Sequence, residues 1–123
     1  MVGKRFAELD ESVVAIGAID FERQGRARAA QRNKGRMRLY ADKGDGRLLG
    51  AEMCVPAGEH MVHLLALAIE RSLTVRELLR MPFYHPVLEE GLRSAFRELA
   101  KQLPPCGDFD LASCDAFQLE ALD

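Results

Sequence analysis

Residues 35–55, GRMRLYADKGDGRLLGAEMCV, most narrowly limit what this chain can become. In 35–42, Met37, Leu39 and Ala41 alternate with Arg36, Arg38 and Tyr40. That period of two is a strand with one buried and one open face. Lys43-Gly44-Asp45-Gly46 is a turn, because Gly and Asp tolerate positive φ. Residues 47–55 return as the partner strand, so the segment predicts an antiparallel hairpin. Gly50 inside that strand marks a bulge or a close backbone approach.

The flanking sequence supplies one more strand and three helices. Residues 12–21, SVVAIGAIDF, read as a buried strand rich in Val and Ile. Residues 3–10 suit a short helical turn contributing Phe6, Ala7 and Leu9. After Pro56-Ala57-Gly58, residues 59–72 predict a helix with Met61, Leu64, Leu65, Ala68 and Ile69 along one face. Thr74-Val75-Arg76-Glu77 is a capping box that starts a short helix ending at Arg80. Residues 86 to about 103 carry Leu88, Leu92, Ala95, Phe96, Leu99 and Leu103 at helical spacing, and Pro104-Pro105 end that helix. Gly91 within it costs roughly 1 kcal/mol against alanine, so a close contact is expected there. Strands that precede helices argue an α+β fold: an antiparallel β-sheet with helices packed on one face. The 123 residues suit one domain, expected over 1–105, followed by an acidic tail at 106–123 that is expected to be mobile.

Net charge is −2, but it is unevenly placed. Arg23, Arg26, Arg28, Arg32, Lys34, Arg36 and Arg38 form a basic run with no acid between Gln24 and Ala41. Residues 22–33 lack apolar periodicity and are expected to form an irregular, exposed arm. A nucleic-acid-binding module using the arm 23–38 is therefore the alternative reading. Against it, charge runs are usually solvated faces, aromatics are missing before Tyr40, and no nucleic-acid motif is present. Cys54, Cys106 and Cys114 make no disulfide framework and no zinc spacing, which suits a reducing, cytoplasmic setting. Cys54, in the hairpin strand, reads as a small buried hydrophobe. Glu59, His60 and His63 lack the third or fourth ligand a zinc site needs, so one histidine is expected beside the core and the other in solvent. No apolar run reaches membrane-spanning length.

Candidate chemistry concentrates in Met81-Pro82-Phe83-Tyr84-His85-Pro86-Val87-Leu88-Glu89-Glu90. Pro82 should stop the preceding helix, and Pro86 suits the first position of the next, which puts His85 at the N-cap. Glu90 follows five residues later, within reach of a ring that bends back over the first turn. A histidine–carboxylate hydrogen bond would fix the imidazole tautomer, as a general base needs. The plain alternative is a helix cap beside a solvated glutamate.

The order of strand, hairpin with KGDGRLLGAEM, helix with AGEHMVHLLALAIE, and then FYHPVLEEGLRSAF resembles a known module. It is similar to the C-terminal dimerisation domain of the pyridine nucleotide–disulfide oxidoreductases, with dihydrolipoamide dehydrogenase as the subgroup it most resembles. The resemblance spans most of residues 2–103 and is most specific at His85-Pro86 and Glu90. It implies an α+β interface module of a homodimer, preceded in the parent chain by FAD and NAD(P) domains. It also implies that His85 is the acid–base partner of the other subunit's redox disulfide, with Glu90 orienting it. Departures accompany the likeness. There is no G-x-G-x-x-G. The cysteines match no family motif, and Phe83 stands where many members carry a second histidine. The chain is thus expected to be the last domain of a longer flavoenzyme, inactive alone, with no cofactor-binding residues of its own.

Overall fold

The computed structural model describes residues 1–105; the acidic tail, Cys106 and Cys114 lie outside the described residues. Four antiparallel strands form one sheet in the order β1–β4–β3–β2. They are β1 (Val2–Gly3), β2 (Val14–Asp20), β3 (Arg36–Asp42) and β4 (Leu48–Cys54). The hairpin is β3–β4, with Met37 opposite Met53 and Leu39 opposite Ala51. A register shift between Tyr40 and Ala41 brings Leu48 opposite Ala41. The close approach expected at Gly50 is present: a Cβ there would stand 2.1 Å from the Lys4 carbonyl oxygen. That approach lets the N-terminal segment pair with β4 as β1, a two-residue strand too short to read from periodicity.

The helices are α1 (Gly25–Ala29), α2 (Gly58–Glu70), α3 (Val75–Arg80) and α4 (Glu90–Ala100). α4 packs on β2 and β3, and α2 on β4 and β1. Their inner faces, Met61, Leu65 and Ala68 from α2 and Leu92, Ala95, Phe96 and Leu99 from α4, meet Met37, Leu39 and Ala51 of the sheet in one core. This is the expected α+β architecture. The apolar stripe of α4 is therefore used within the domain. Just beyond α4, Gln102 covers the free edge of β2. Its side chain accepts from the Ile16 N–H (3.1 Å) and donates to the Ile16 carbonyl (2.7 Å), which blunts an edge open to strand pairing. Among the described residues no helix is long and apolar enough to cross a membrane.

Four expectations are corrected. Tyr40, placed on the open face by alternation, is fully buried. The N-terminal segment folds over that face and sets the Phe6 ring 5.9 Å from the Tyr40 ring. The buried hydroxyl donates to the Glu52 carboxylate, as a buried phenol must find a partner. Burial, with the hydrogen bond to Glu52, pushes the Tyr40 hydroxyl up to about 12. Residues 22–33 are not wholly irregular: a 3₁₀ turn, Phe21–Arg23, leads into α1, and Phe21 and Ala27 are buried. Cys54 is exposed, not buried, because it ends β4 opposite Arg36 at an open end of the sheet. His60 and His63 are both exposed, since Met61, Leu65 and Ala68 form the inner face of α2.

Candidate functional site

α3 ends as expected. Its capping box is complete, with the Thr74 side chain accepting from the Glu77 N–H and the Glu77 carboxylate from the Thr74 N–H. Met81 is extended, at ψ 131°, as a residue before proline is driven to be. The next helix does not begin at Pro86. It begins at Glu90 with Glu89 as N-cap, and the His85–Pro86 peptide is cis. The Gly91 N–H donates to the Leu88 carbonyl (3.0 Å) and the Leu92 N–H to the Glu89 carbonyl (2.8 Å). These are i→i+3 bonds, so a tight turn occupies the stretch read as the helix start. Proline suits either role, and the sequence alone does not separate them. His85 is therefore a loop residue, not a helix cap.

The expected pair is nevertheless formed. His85 Nδ1 lies 2.8 Å from Glu90 Oε1. Glu90 Oε2 accepts from the Val87 N–H at 3.1 Å. An ionised carboxylate only accepts, so Nδ1–H is the donor and Nε2 of the neutral ring keeps its lone pair. The His85 side chain is 78% exposed and that of Glu90 32%. The ring is thus tethered on one side and open to an incoming group on the other. Glu90 stands at the first residue of α4, where the helix dipole favours a negative charge.

Packing beneath the pair fixes where α4 starts. Phe21 is buried against Gly91, where a Cβ would stand 2.6 Å from Phe21 Cζ. This is the close contact expected at that glycine. α1 is tied to the same loop by Gln24. Its Nε2 donates to the Val87 carbonyl (2.7 Å), while its Oε1 accepts from the Ala27 N–H (2.6 Å) and caps α1. The result is an open cleft of ≈ 490 Å³ with Arg23, Arg26, His85, Glu90 and Ser94 in its wall. Tyr84 beside it is 79% exposed. Phe83 is half-buried, and the Arg93 guanidinium lies 5.7 Å from its ring centre.

The sequence reading found His85 and Glu90 but missed Gln24 and α1 as part of the same site. The basic run is divided between two surfaces. Arg23 and Arg26 face the His85 cleft, whereas Arg36 pairs with Asp20 (3.0 Å) and Arg38 lies 3.9 Å from Glu52. His63 Nδ1 is 2.8 Å from the Glu59 carbonyl oxygen. Among the described residues no three His, Cys, Asp or Glu side chains are grouped to hold a metal.

Residues 1–96 match the family model of the pyridine nucleotide-disulphide oxidoreductase dimerisation domain. The chain belongs to this family. It is 28% identical over 96 residues to dihydrolipoyl dehydrogenase 1, mitochondrial, of Arabidopsis thaliana, covering 76% of the chain and 19% of that protein. It is 36% identical over 84 residues to mercuric reductase of Acidithiobacillus ferrooxidans, covering 66% of the chain and 15% of that protein. Among solved structures, LpdA from Mycobacterium tuberculosis superposes with a TM-score of 0.73 at 20% identity, over 80% of this chain and 22% of that one. The Cu(II) complex of a mutant of the HOCl-induced flavoprotein disulfide reductase RclA from Escherichia coli gives 0.69 at 22% identity, over 77% and 22%. The chain spans about a fifth of the length of these relatives. Within this dimerisation domain, the matched residues include the whole turn from Pro82 to Glu90.

Proposed function

We propose that this domain supplies His85 as the acid–base group of a thiol–disulfide exchange, at a redox disulfide carried by a second subunit of a homodimer. The observation that carries the reading is the 2.8 Å His85 Nδ1–Glu90 contact with the opposite side of the ring open to solvent. Glu90 holds the tautomer. Nε2 then takes the proton of a substrate thiol, and the thiolate attacks one sulfur of the disulfide. The second sulfur leaves as a thiolate beside the imidazolium, which stabilises it and later returns the proton. Thiolate, not thiol, is the nucleophile, so such an exchange needs a base at that point.

FAD and NAD(P) belong to the reading only through other domains of a parent chain. All strand pairs among the described residues are antiparallel, and the chain has no G-x-G-x-x-G. Its residues therefore do not fit a dinucleotide cradle, which needs a βαβ unit and a glycine-rich turn. The domain alone is inactive on this reading. Association uses the sheet surface around Ala18, Arg38, Glu52 and Cys54, because the apolar face of α4 is already covered.

The test joins this chain to the flavin and nicotinamide domains of a disulfide reductase and follows dithiol-dependent NAD(P)⁺ reduction. The isolated chain should give none. In the joined protein His85→Gln should lower kcat by about 10²–10⁴-fold, the range of general acid–base catalysis. Unchanged turnover in His85→Gln overturns the acid–base role, and a monomer by sedimentation at tens of micromolar overturns the association.

A further inference from the structure

The wall that the His85 cleft shares with α1 is cationic, with no carboxylate paired to its arginines among the described residues. Arg23 closes the 3₁₀ turn and Arg26 lies in α1, and both side chains line the cleft with His85. Within the same basic run Arg36 and Arg38 have carboxylate partners. Arg23 and Arg26 make no side-chain hydrogen bond and no ion pair among the described residues. The one acid in the wall, Glu90, is engaged on both oxygens, by His85 and by the Val87 N–H. Gln24 then fixes the two sides of the cleft to each other, bonding α1 through Ala27 and the His85 loop through Val87. Two arginines and one histidine thus line one cleft in one frame, with a net positive charge among its lining residues.

Guanidinium forks match carboxylates, which accept two parallel hydrogen bonds, better than they match neutral amides. A cleft of ≈ 490 Å³ is of the size that takes a small molecule. We infer that the substrate of this site is a small thiol or disulfide that carries a carboxylate, bound by Arg23 and Arg26 with its sulfur towards His85 Nε2. The inference rests on the acid–base reading for the sulfur's position. The charge selection is independent of it. Nucleic-acid phosphate is the less favoured occupant, because the basic run is split between two surfaces and, among the described residues, the cleft is lined by two arginines.

The test is an NMR titration of the full chain with reduced lipoate, a dithiol ending in a carboxylate, and with reduced lipoamide, the same dithiol ending in a neutral amide. A short single-stranded oligonucleotide is the third probe. Reduced lipoate should shift the His85 ring and the Arg23 and Arg26 Nε–H signals, and bind at least about fivefold tighter than the amide at low salt. That advantage should shrink towards unity at about 0.5 M salt, since screening acts on the charge and not on the shared chain. Arg23→Gln with Arg26→Gln should abolish the discrimination, and Arg23→Lys with Arg26→Lys should restore part of it. Both residues are exposed, so far-UV circular dichroism of the variants should match the parent. Equal binding of the two dithiols, discrimination that survives the Gln variant, or binding of the oligonucleotide alone each overturns the inference. His85→Gln separates the two readings: loss of the catalytic role leaves the carboxylate preference intact, and loss of that preference leaves the catalytic role untouched.

Discussion

Gly91→Ala should weaken the domain although alanine is the better helix former. In α4 a Cβ at this position would stand 2.6 Å from Phe21 Cζ, 3.1 Å from Phe21 Cε2 and 3.3 Å from Ile19 Cδ1. The Phe21 ring is fully buried and has nowhere to retreat, so either the ring or the start of α4 must move. Forcing one methyl into a closed core costs about 1–3 kcal/mol. The helix-propensity gain is at most about 1 kcal/mol, and less here because Gly91 is only the second residue of α4. The net expectation is a loss of about 1–2 kcal/mol. With a urea slope of about 1–3 kcal/mol per molar, that lowers the midpoint by roughly 0.3–2 M. The assay is equilibrium urea unfolding of four proteins: parent, Gly91→Ala, Phe21→Leu and the double variant. Leucine at position 21 removes the ring atom that the methyl meets, so the cost of Gly91→Ala should shrink by more than about 0.5 kcal/mol in that background. A higher midpoint for Gly91→Ala, or the same cost in both backgrounds, refutes the steric argument. Because Glu90 is the neighbouring residue, the His85 ring signals should shift in Gly91→Ala and move back in the double variant.

Further outcomes follow from single contacts. Stability should fall as pH rises from about 10 to about 12. The folded chain holds the Tyr40 hydroxyl protonated up to about 12, whereas an unfolded tyrosine ionises near about 10. Full loss of that difference is about 2–3 kcal/mol, and Tyr40→Phe should remove this slope in alkaline unfolding curves. Thr74→Ala should cost about 1 kcal/mol through loss of the α3 cap. Hydrogen bonds from the Thr74 N–H and hydroxyl hold the Glu77 carboxyl below its ordinary value. Its contribution is therefore present above the unfolded carboxylate range and lost as pH falls through the folded one, so the acid limb of the stability curve should flatten in Thr74→Ala. Gln102→Ala should speed amide exchange at Ile16 with little change at Leu39, because only the outer edge of β2 loses its cover.

The hairpin was legible because Met37, Leu39 and Ala41 keep a strict period of two, and α3 because a capping box is a local signal. Tyr40 was misread for a physical reason. Alternation reports which face a residue occupies, not whether a distant segment covers that face, and Phe6 does so from 34 positions away. α1 was missed because five residues span little more than one turn, too few for periodicity, and its cap is a glutamine instead of a common capping residue. In the site, His85 and Glu90 were legible as a pair because five residues across one turn restrict their separation. Gln24, Arg23 and Arg26 were not, because a contact across 63 positions, as between Gln24 and Val87, leaves no local pattern.

The most direct measurement is the tautomer of His85, read by long-range ¹H–¹⁵N correlation in the full chain at a pH where the ring is neutral. The expected result is Nδ1 protonated and Nε2 carrying the lone pair, with Glu90→Gln shifting the ring towards the Nε2–H form. An Nε2–H ring in the parent chain, unmoved by Glu90→Gln, would contradict a base aimed at a partner's disulfide.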